Sequence, residues 1–248
     1  MTLQEFFKEQ PAVALAFSGG VDSAYLLYAA RQYGANVTAY YVKTPFQPQF
    51  EYEDAVKLAA ELGANMKTIQ LDVLQDENIT CNPANRCYYC KKRIFSAILE
   101  AAKADGFPIV IDGTNASDDA SDRPGMVALR ELQVRSPLRE ADLTKAEIRR
   151  LSKEAGLFTH DKPAYACLAT RIPTGTGITQ ELLTKTEICE EHLKNMGFSD
   201  FRIRYFGGAA RLQLPETQIP ALFEKRAEIL AFLKQHYPAV VLDMEVRG

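Results

Sequence analysis

The residues Ser18-Gly19-Gly20-Val21-Asp22-Ser23 have the types and spacing to hold a phosphate. An apolar run from Val13 to Phe17 leads into the two glycines. A helical pattern starts at once behind them, with Val21, Leu26, Leu27 and Ala30 on one face. Gly19 and Gly20 let the backbone reach positive φ and turn its N–H groups toward one point. The helix start adds about half a positive charge there, and Ser18 and Ser23 add hydroxyl donors. Together these make an anion site. Asp22 beside it suits orienting the loop or helping to hold magnesium. A bare glycine pair would be an ordinary strand-to-helix turn; two serines and an acid around it favour the phosphate.

Cysteines supply the second chemistry. Cys87 and Cys90 are three apart at the start of a helical stretch running to Lys103. That spacing points both thiols the same way, with β-carbons about 5–6 Å apart. A helix start beside Arg86, Lys91 and Lys92 favours the thiolate needed for a metal or for sulfur, although a lone CxxC serves packing as readily as ligation. Cys167 stands among small and apolar residues in KPAYACLATRIPTGTGIT, Lys162 to Thr179. Core packing is the usual fate of such a cysteine; nearby Arg171 and the Pro/Thr/Gly-rich loop after it favour a reactive or ligating role. Arg202, Arg204 and Arg211 alternate with apolar residues on two strands joined at Gly207-Gly208. They are expected to share an outward face, as a phosphate cradle or simply a solvated surface.

The elements that must position these residues alternate strand and helix. Strands are expected at 13–17, 37–42, 66–71 and 109–111, and helices at 21–33, 51–62 and up to Lys103. This pattern predicts a parallel sheet covered on both faces, with ligands at the carboxyl ends of its strands. The fourth strand ends in Asp112-Gly113-Thr114-Asn115, which suits a second contact to a nucleotide. Asp118, Asp119 and Asp122 follow in a polar loop, either solvated or with a metal or ribose role. Val134 to Leu138 reads as a short strand turning at Pro137. LTKAEIRRLSKEAGL reads as a capped helix, Thr144 to Gly156, with Glu147 at the capping-box position: structure rather than chemistry. Beyond Thr179 come a helix at 180–196, strands at 201–205 and 209–214, a helix at 219–235 and a strand at 240–246. The expected division is 1–172 and 173–248, the second part being a smaller α+β domain for substrate binding or oligomerisation.

A chain of 248 residues with 47% hydrophobic and 25% charged residues is an ordinary globular protein of one large or two modest domains. A net charge of -3 argues against broad nucleic-acid binding. With no signal-peptide pattern and no apolar run near the length of a membrane span, a cytoplasmic protein with no membrane partner is expected. Five cysteines there are not a disulfide framework. A homo-oligomer is expected.

SGGVDS resembles the SGGxDS loop of the PP-loop ATP pyrophosphatases, of the adenine nucleotide alpha hydrolase fold, and lacks the GK[ST] ending of a Walker A loop. The ordered set SGGVDS, RCYYCKK, DGTN, DRPG, RSPL, LTKAEIR, KPAYACLATRIP and ARLQLP resembles, along nearly the whole chain, the LarE sulfur transferases of nickel-pincer cofactor synthesis. The resemblance implies that ATP, with Mg2+, adenylylates a carboxylate of pyridinium-3,5-biscarboxylic acid mononucleotide. Pyrophosphate leaves, and sulfur then replaces AMP. It implies that Ser18, Gly19, Gly20, Asp22 and Ser23 meet the ATP phosphates and that Gly113 and Thr114 lie beside ATP. Main-chain groups of Tyr41 to Thr44 would border the adenine. Arg171, Arg202, Arg204 and Arg211 would meet the mononucleotide phosphate. The family has two sulfur sources: the cysteine matching Cys167 gives up its own sulfur, or three cysteines hold a 4Fe-4S cluster that carries sulfide from an external donor. Cys87, Cys90 and Cys167 fit the three-ligand pattern, which makes them the expected catalytic and metal residues together with Asp22. Gln213 departs from the family, which often has an acid there, so a metal role at that position lacks its charge. Rival readings are an ammonia-dependent synthetase, a tRNA thiolase, or a zinc-stabilised nucleotide-binding protein using Cys81, Cys87, Cys90 and Cys167.

Overall fold

A computed structural model describes residues 1–118 and 123–247; Asp119 and Asp122 lie outside the described residues. In chain order the first elements are α1 (Leu3–Glu9), β1 (Ala12–Ala16), α2 (Val21–Gln32), β2 (Asn36–Lys43), α3 (Gln49–Glu61) and β3 (Asn65–Gln70). Next come α4 (Glu77–Thr80), α5 (Arg86–Ala104), β4 (Val110–Ile111), α6 (Pro124–Glu131), α7 (Pro137–Glu140) and α8 (Lys145–Glu154). The chain closes with α9 (Gln180–Asn195), β5 (Arg202–Phe206), β6 (Ala209–Gln213), α10 (Ile219–Glu224), α11 (Arg226–Leu233) and β7 (Val240–Leu242).

The first compact unit comprises residues 1–73 and 85–162. Its four strands pair in parallel in the order β3-β2-β1-β4. Alternate residues of a strand point to opposite faces, and here both faces are apolar. Val13 and Leu15 pack with Phe6, Phe7, Leu26 and Leu27. Ala14, between them, packs with Tyr40, Val42, Phe95 and Ile98. Helices therefore cover the sheet on both sides, as a parallel sheet requires, and the fold is the expected α/β class. The stretch expected as a strand at Val134–Leu138 makes one parallel bridge, Ile111 to Arg135. Pro137 then starts α7 at a position where its missing N–H costs nothing.

The second compact unit comprises residues 74–84 and 163–248, of which 248 is not described. The division thus falls at Lys162/Pro163, ahead of the expected 172/173, and draws in a short earlier segment. Asn82 shows why: its Nδ2 donates to the carbonyls of Ile172, Pro173 and Thr176. The sheet order is β5-β6-β7. β5 and β6 form the expected hairpin, with Gly207 and Gly208 at φ +55° and +91°, the positive pair that a tight hairpin turn favours. The helix expected over 219–235 breaks at Lys225 into α10 and α11, and β7 is three residues long. Cys189 is fully buried with Leu193, Ile203 and Leu212, a packing cysteine. Among the described residues no helix is long and apolar enough to cross a membrane.

Candidate active site

The loop after β1 is built to leave helix amides for a ligand. Gly20 is the N-cap of α2 and no side chain caps the helix, so first-turn N–H groups have no internal partner. Gly19 sits at φ +72°, and a β-carbon on it would lie 3.0 Å from Ala55 Cβ; both conformation and space require glycine. The Ser18 and Ser23 hydroxyls are 3.1 Å apart. Ser23 donates to Gly20 O at 3.1 Å and accepts from Ser18 N at 3.3 Å. The loop is thus closed by its own serines, with a hydroxyl pair at its base.

Asp22, on the first turn of α2, is held from two later segments. Lys145 Nζ donates to its Oδ2 at 2.5 Å and Asn115 Nδ2 to its Oδ1 at 3.3 Å. Both oxygens are engaged, so Asp22 ties the loop to the turn after β4 and to α8. Lys145 opens α8 behind the expected Thr144–Glu147 capping box, a helix expected to be structural only. The sequence signal was its place directly after an N-cap, where a lysine opposes the helix dipole and so asks for a partner. Gly113 packs against the same turn: a β-carbon there would come 2.9 Å from Ser23 N. Thr114 Oγ1 donates to Asp112 Oδ2 at 2.6 Å, and Ser136 Oγ to Asp112 Oδ1 at 2.7 Å. In this unit the structure brings Ser18 to Ser23, Gly113, Thr114, Asn115 and Lys145 together at the carboxyl ends of β1 and β4.

Cys87 and Cys90 lie on the first turn of α5, Cys87 exposed and Cys90 half-buried. Cys81 is exposed in the second unit, and no cysteine is in a disulfide. Cys167, half-buried, precedes a short 3-10 turn, Leu168–Arg171. Its carbonyl accepts from Thr170 N at 2.9 Å and Thr170 Oγ1 at 2.8 Å. Among the described residues no three His, Cys, Asp or Glu side chains are gathered into a metal-holding group.

The three hairpin arginines differ in exposure: Arg202 is buried, while Arg204 and Arg211 are half-buried. Arg204 and Arg211 are directly opposed across the hairpin and Arg202 opposes Gln213, so the three do share a face. Residues 163–172 reach that face at Arg202 and Arg204, which alternation alone cannot reveal. Arg202 is buried and donates to the carbonyls of Phe201 and Ala164. Arg204 donates to Gln213 Oε1 and Thr170 O, and Arg211 lies 3.3 Å from Asp243. Burial, and next the Arg171 guanidinium, holds Arg202 and Arg204 below the ordinary arginine range. Around them stand the guanidinium groups of Arg171 and Arg211 and the carboxylates of Glu190, Asp243 and Asp200.

Arg171, only 1% exposed, gives Nε and Nη2 to Glu190 at 2.9 and 3.0 Å and Nη1 to Ala166 O and Thr170 Oγ1. Glu190 also accepts from Ile203 N at 2.9 Å and from Tyr165 Oη at 2.5 Å. Burial and then Glu190 push the Tyr165 phenol well up, so it stays a donor. Sequence reading missed Glu190, yet the signal existed: it falls at helical spacing with Leu183, Thr186 and Leu193, an acid in a buried stripe. Glu190→Ala strands a buried guanidinium and is expected to destabilise by about 3 kcal/mol or more, measured by denaturant unfolding. A loss below about 0.5 kcal/mol, typical of surface changes, would contradict this.

Residues 12–83 match the family model described as queuosine biosynthesis protein QueC. The pyridinium-3,5-bisthiocarboxylic acid mononucleotide synthase of Lactiplantibacillus plantarum is 36% identical over 88% of this chain and 80% of its own length. An uncharacterized protein of Synechocystis sp. is 38% identical over 88% of this chain and 81% of its own. A tRNA-specific 2-thiouridylase of Pseudothermotoga lettingae is 27% identical over 60% of this chain and 53% of its own length. With its glycine loop at the carboxyl end of a parallel sheet, the chain is an enzyme of the PP-loop ATP pyrophosphatase class. It belongs to the LarE family of sulfur-transferring synthases.

Proposed function

We propose that this enzyme uses ATP to replace a carboxylate oxygen of pyridinium-3,5-biscarboxylic acid mononucleotide by sulfur. The observation that carries the reading is the uncapped α2 N-terminus behind Gly19-Gly20, with Asp22 anchored to Lys145 and Asn115. Amides there receive the phosphates, Mg2+ enters with the nucleotide, and Gly113 keeps the β4 turn close. Main-chain groups of Tyr41 to Thr44, at the end of β2, border the base. A substrate carboxylate oxygen attacks the α-phosphorus, the bond to the bridging oxygen breaks, and pyrophosphate leaves. Sulfur then attacks the acyl carbon, and AMP departs with the carboxylate oxygen. Arg204 and Arg211, supported by Arg202 and Arg171, take the mononucleotide phosphate in a patch whose guanidinium groups outnumber the carboxylates of Glu190, Asp243 and Asp200. The tRNA reading has the weaker support, because the thiouridylase matches cover 60% of the chain.

For the sulfur, Cys87, Cys90 and Cys167 are the proposed ligands of a 4Fe-4S cluster. Their soft thiol donors and incomplete burial suit iron, while the buried Cys189 does not. Bound, such a cluster supplies sulfide. Cys87 and Cys90 offer their thiols from one helix turn, and Cys167 is fixed through its own carbonyl. An oxygen-18 label placed in the substrate carboxylate tests the chemistry: it is expected in AMP, and its absence there would overturn adenylylation. Anaerobic reconstitution tests the sulfur source. Iron and sulfide retained by the wild type and lost in Cys87→Ser are expected. A colourless protein in which Cys167 loses its sulfur on turnover would contradict the cluster.

A further inference from the structure

An ion cluster, with Lys162 and Glu51 largely buried, stands on α3 beside the phosphate loop. Lys162 Nζ lies 2.9 Å from Glu51 Oε1 and 2.8 Å from Asp54 Oδ2. The lysine and Glu51 side chains are each 14% exposed. Glu51 and Asp54 occupy successive turns at the start of α3, three residues apart and on one face. Neither Lys162 Nζ nor Glu51 Oε1 has hydrogen-bond geometry, so the contact is chiefly one of charge. One ammonium serves two carboxylates.

The cluster reaches the loop through one residue. Ala55 follows Asp54 and is the wall against Gly19: a β-carbon on Gly19 would lie 3.0 Å from Ala55 Cβ and 3.3 Å from Ala55 N. There is no slack between the α3 backbone and the loop. Lys162 is itself fixed, since Arg149 of α8 donates to Lys162 O at 2.8 Å and to His160 O at 2.6 Å. The Tyr41 hydroxyl is buried without a partner. Burial, and next the Glu51 charge, pushes its ionisation up, so it stays neutral and adds no further negative charge. Without Lys162, the Glu51 and Asp54 carboxylates would repel each other and an incoming triphosphate.

We propose that Lys162 is a positioning residue for the nucleotide: by holding Glu51 and Asp54 it fixes Ala55 against Gly19 and cancels negative charge behind the phosphate loop. The inference rests on the reading of Ser18 to Ser23 as the ATP site. Its test is equilibrium binding of α,β-methylene-ATP, with mononucleotide binding measured in parallel. Lys162→Met is expected to weaken the ATP analogue about tenfold, a factor equal to about 1.4 kcal/mol, with the loss shrinking as salt rises. Mononucleotide binding is expected to stay unchanged. Lys162→Arg, which keeps the charge, and the double variant Lys162→Met with Glu51→Gln, which sheds one carboxylate, are expected to recover most of the affinity. Unchanged ATP-analogue binding in Lys162→Met, or equal weakening of both ligands, would overturn the proposal. Should Lys162→Met not fold, Lys162→Gln, which keeps a polar side chain without the charge, gives the same comparison with the wild type, and unchanged ATP-analogue binding by it would overturn the proposal. A wild type that binds no ATP analogue would instead refute the ATP-site reading, and that result precedes any substitution.

Discussion

Cys167→Ala is expected to abolish thiocarboxylate formation while ATP is still cleaved to AMP and pyrophosphate. Cys167 is not one of the residues of the phosphate loop. Its backbone is held by Thr170, its neighbour Arg171 is held by Glu190, and the thiol is half-buried rather than packed away. Whether sulfur comes from a cluster bound by this thiol or from the thiol itself, nothing else in the segment can replace it. Product should fall by on the order of 10³ or more, as when the one group acting as nucleophile is removed. Pyrophosphate release should stay near the wild-type rate. A variant that forms thiocarboxylate at wild-type yield would remove Cys167 from the reaction.

The opposite separation is expected at Asp22. Asp22→Ala should slow pyrophosphate release by about 10²–10³, the cost of losing one preorganised charged contact in a phosphoryl-transfer site. Asp22 fixes Lys145 and Asn115 against the first turn of α2. Its removal leaves the ammonium unanchored and loosens the turn after β4. Lys145→Met should cost a similar factor, and the double variant little more, because the two act as one unit. Single-turnover pyrophosphate assays decide this. Additive losses would mean that Asp22 and Lys145 act separately.

These two residues also mark what was legible in the sequence. The loop was, because an apolar strand, a glycine pair and a helical pattern are local signals and the loop is made by those same residues. Lys145 was not, since its partner is more than a hundred residues away and its own helix is fully explained by capping. Glu190 lay hidden for a similar reason: the stripe of Leu183, Thr186 and Leu193 fixes the buried face, but the guanidinium awaiting it comes from a separate 3-10 turn. The hairpin arginines were legible as one face, but the burial of Arg202 was not, because alternation places side chains on a face without saying what covers it. β7 was overextended because only Val240 to Leu242 pair with β6, and pairing depends on a partner that local pattern does not contain.

In the proposed reaction, ATP cleavage at this loop drives oxygen-to-sulfur exchange on a mononucleotide carboxylate. Anaerobic incubation of the enzyme with ATP, Mg2+, a sulfide source and pyridinium-3,5-biscarboxylic acid mononucleotide, followed by mass spectrometry and nucleotide analysis, tests it most directly. A product heavier by the exchange of oxygen for sulfur is expected, with AMP and pyrophosphate formed in equal amounts and in step with it. Cleavage of ATP to ADP and phosphate, or AMP formation with the substrate mass unchanged, would contradict it.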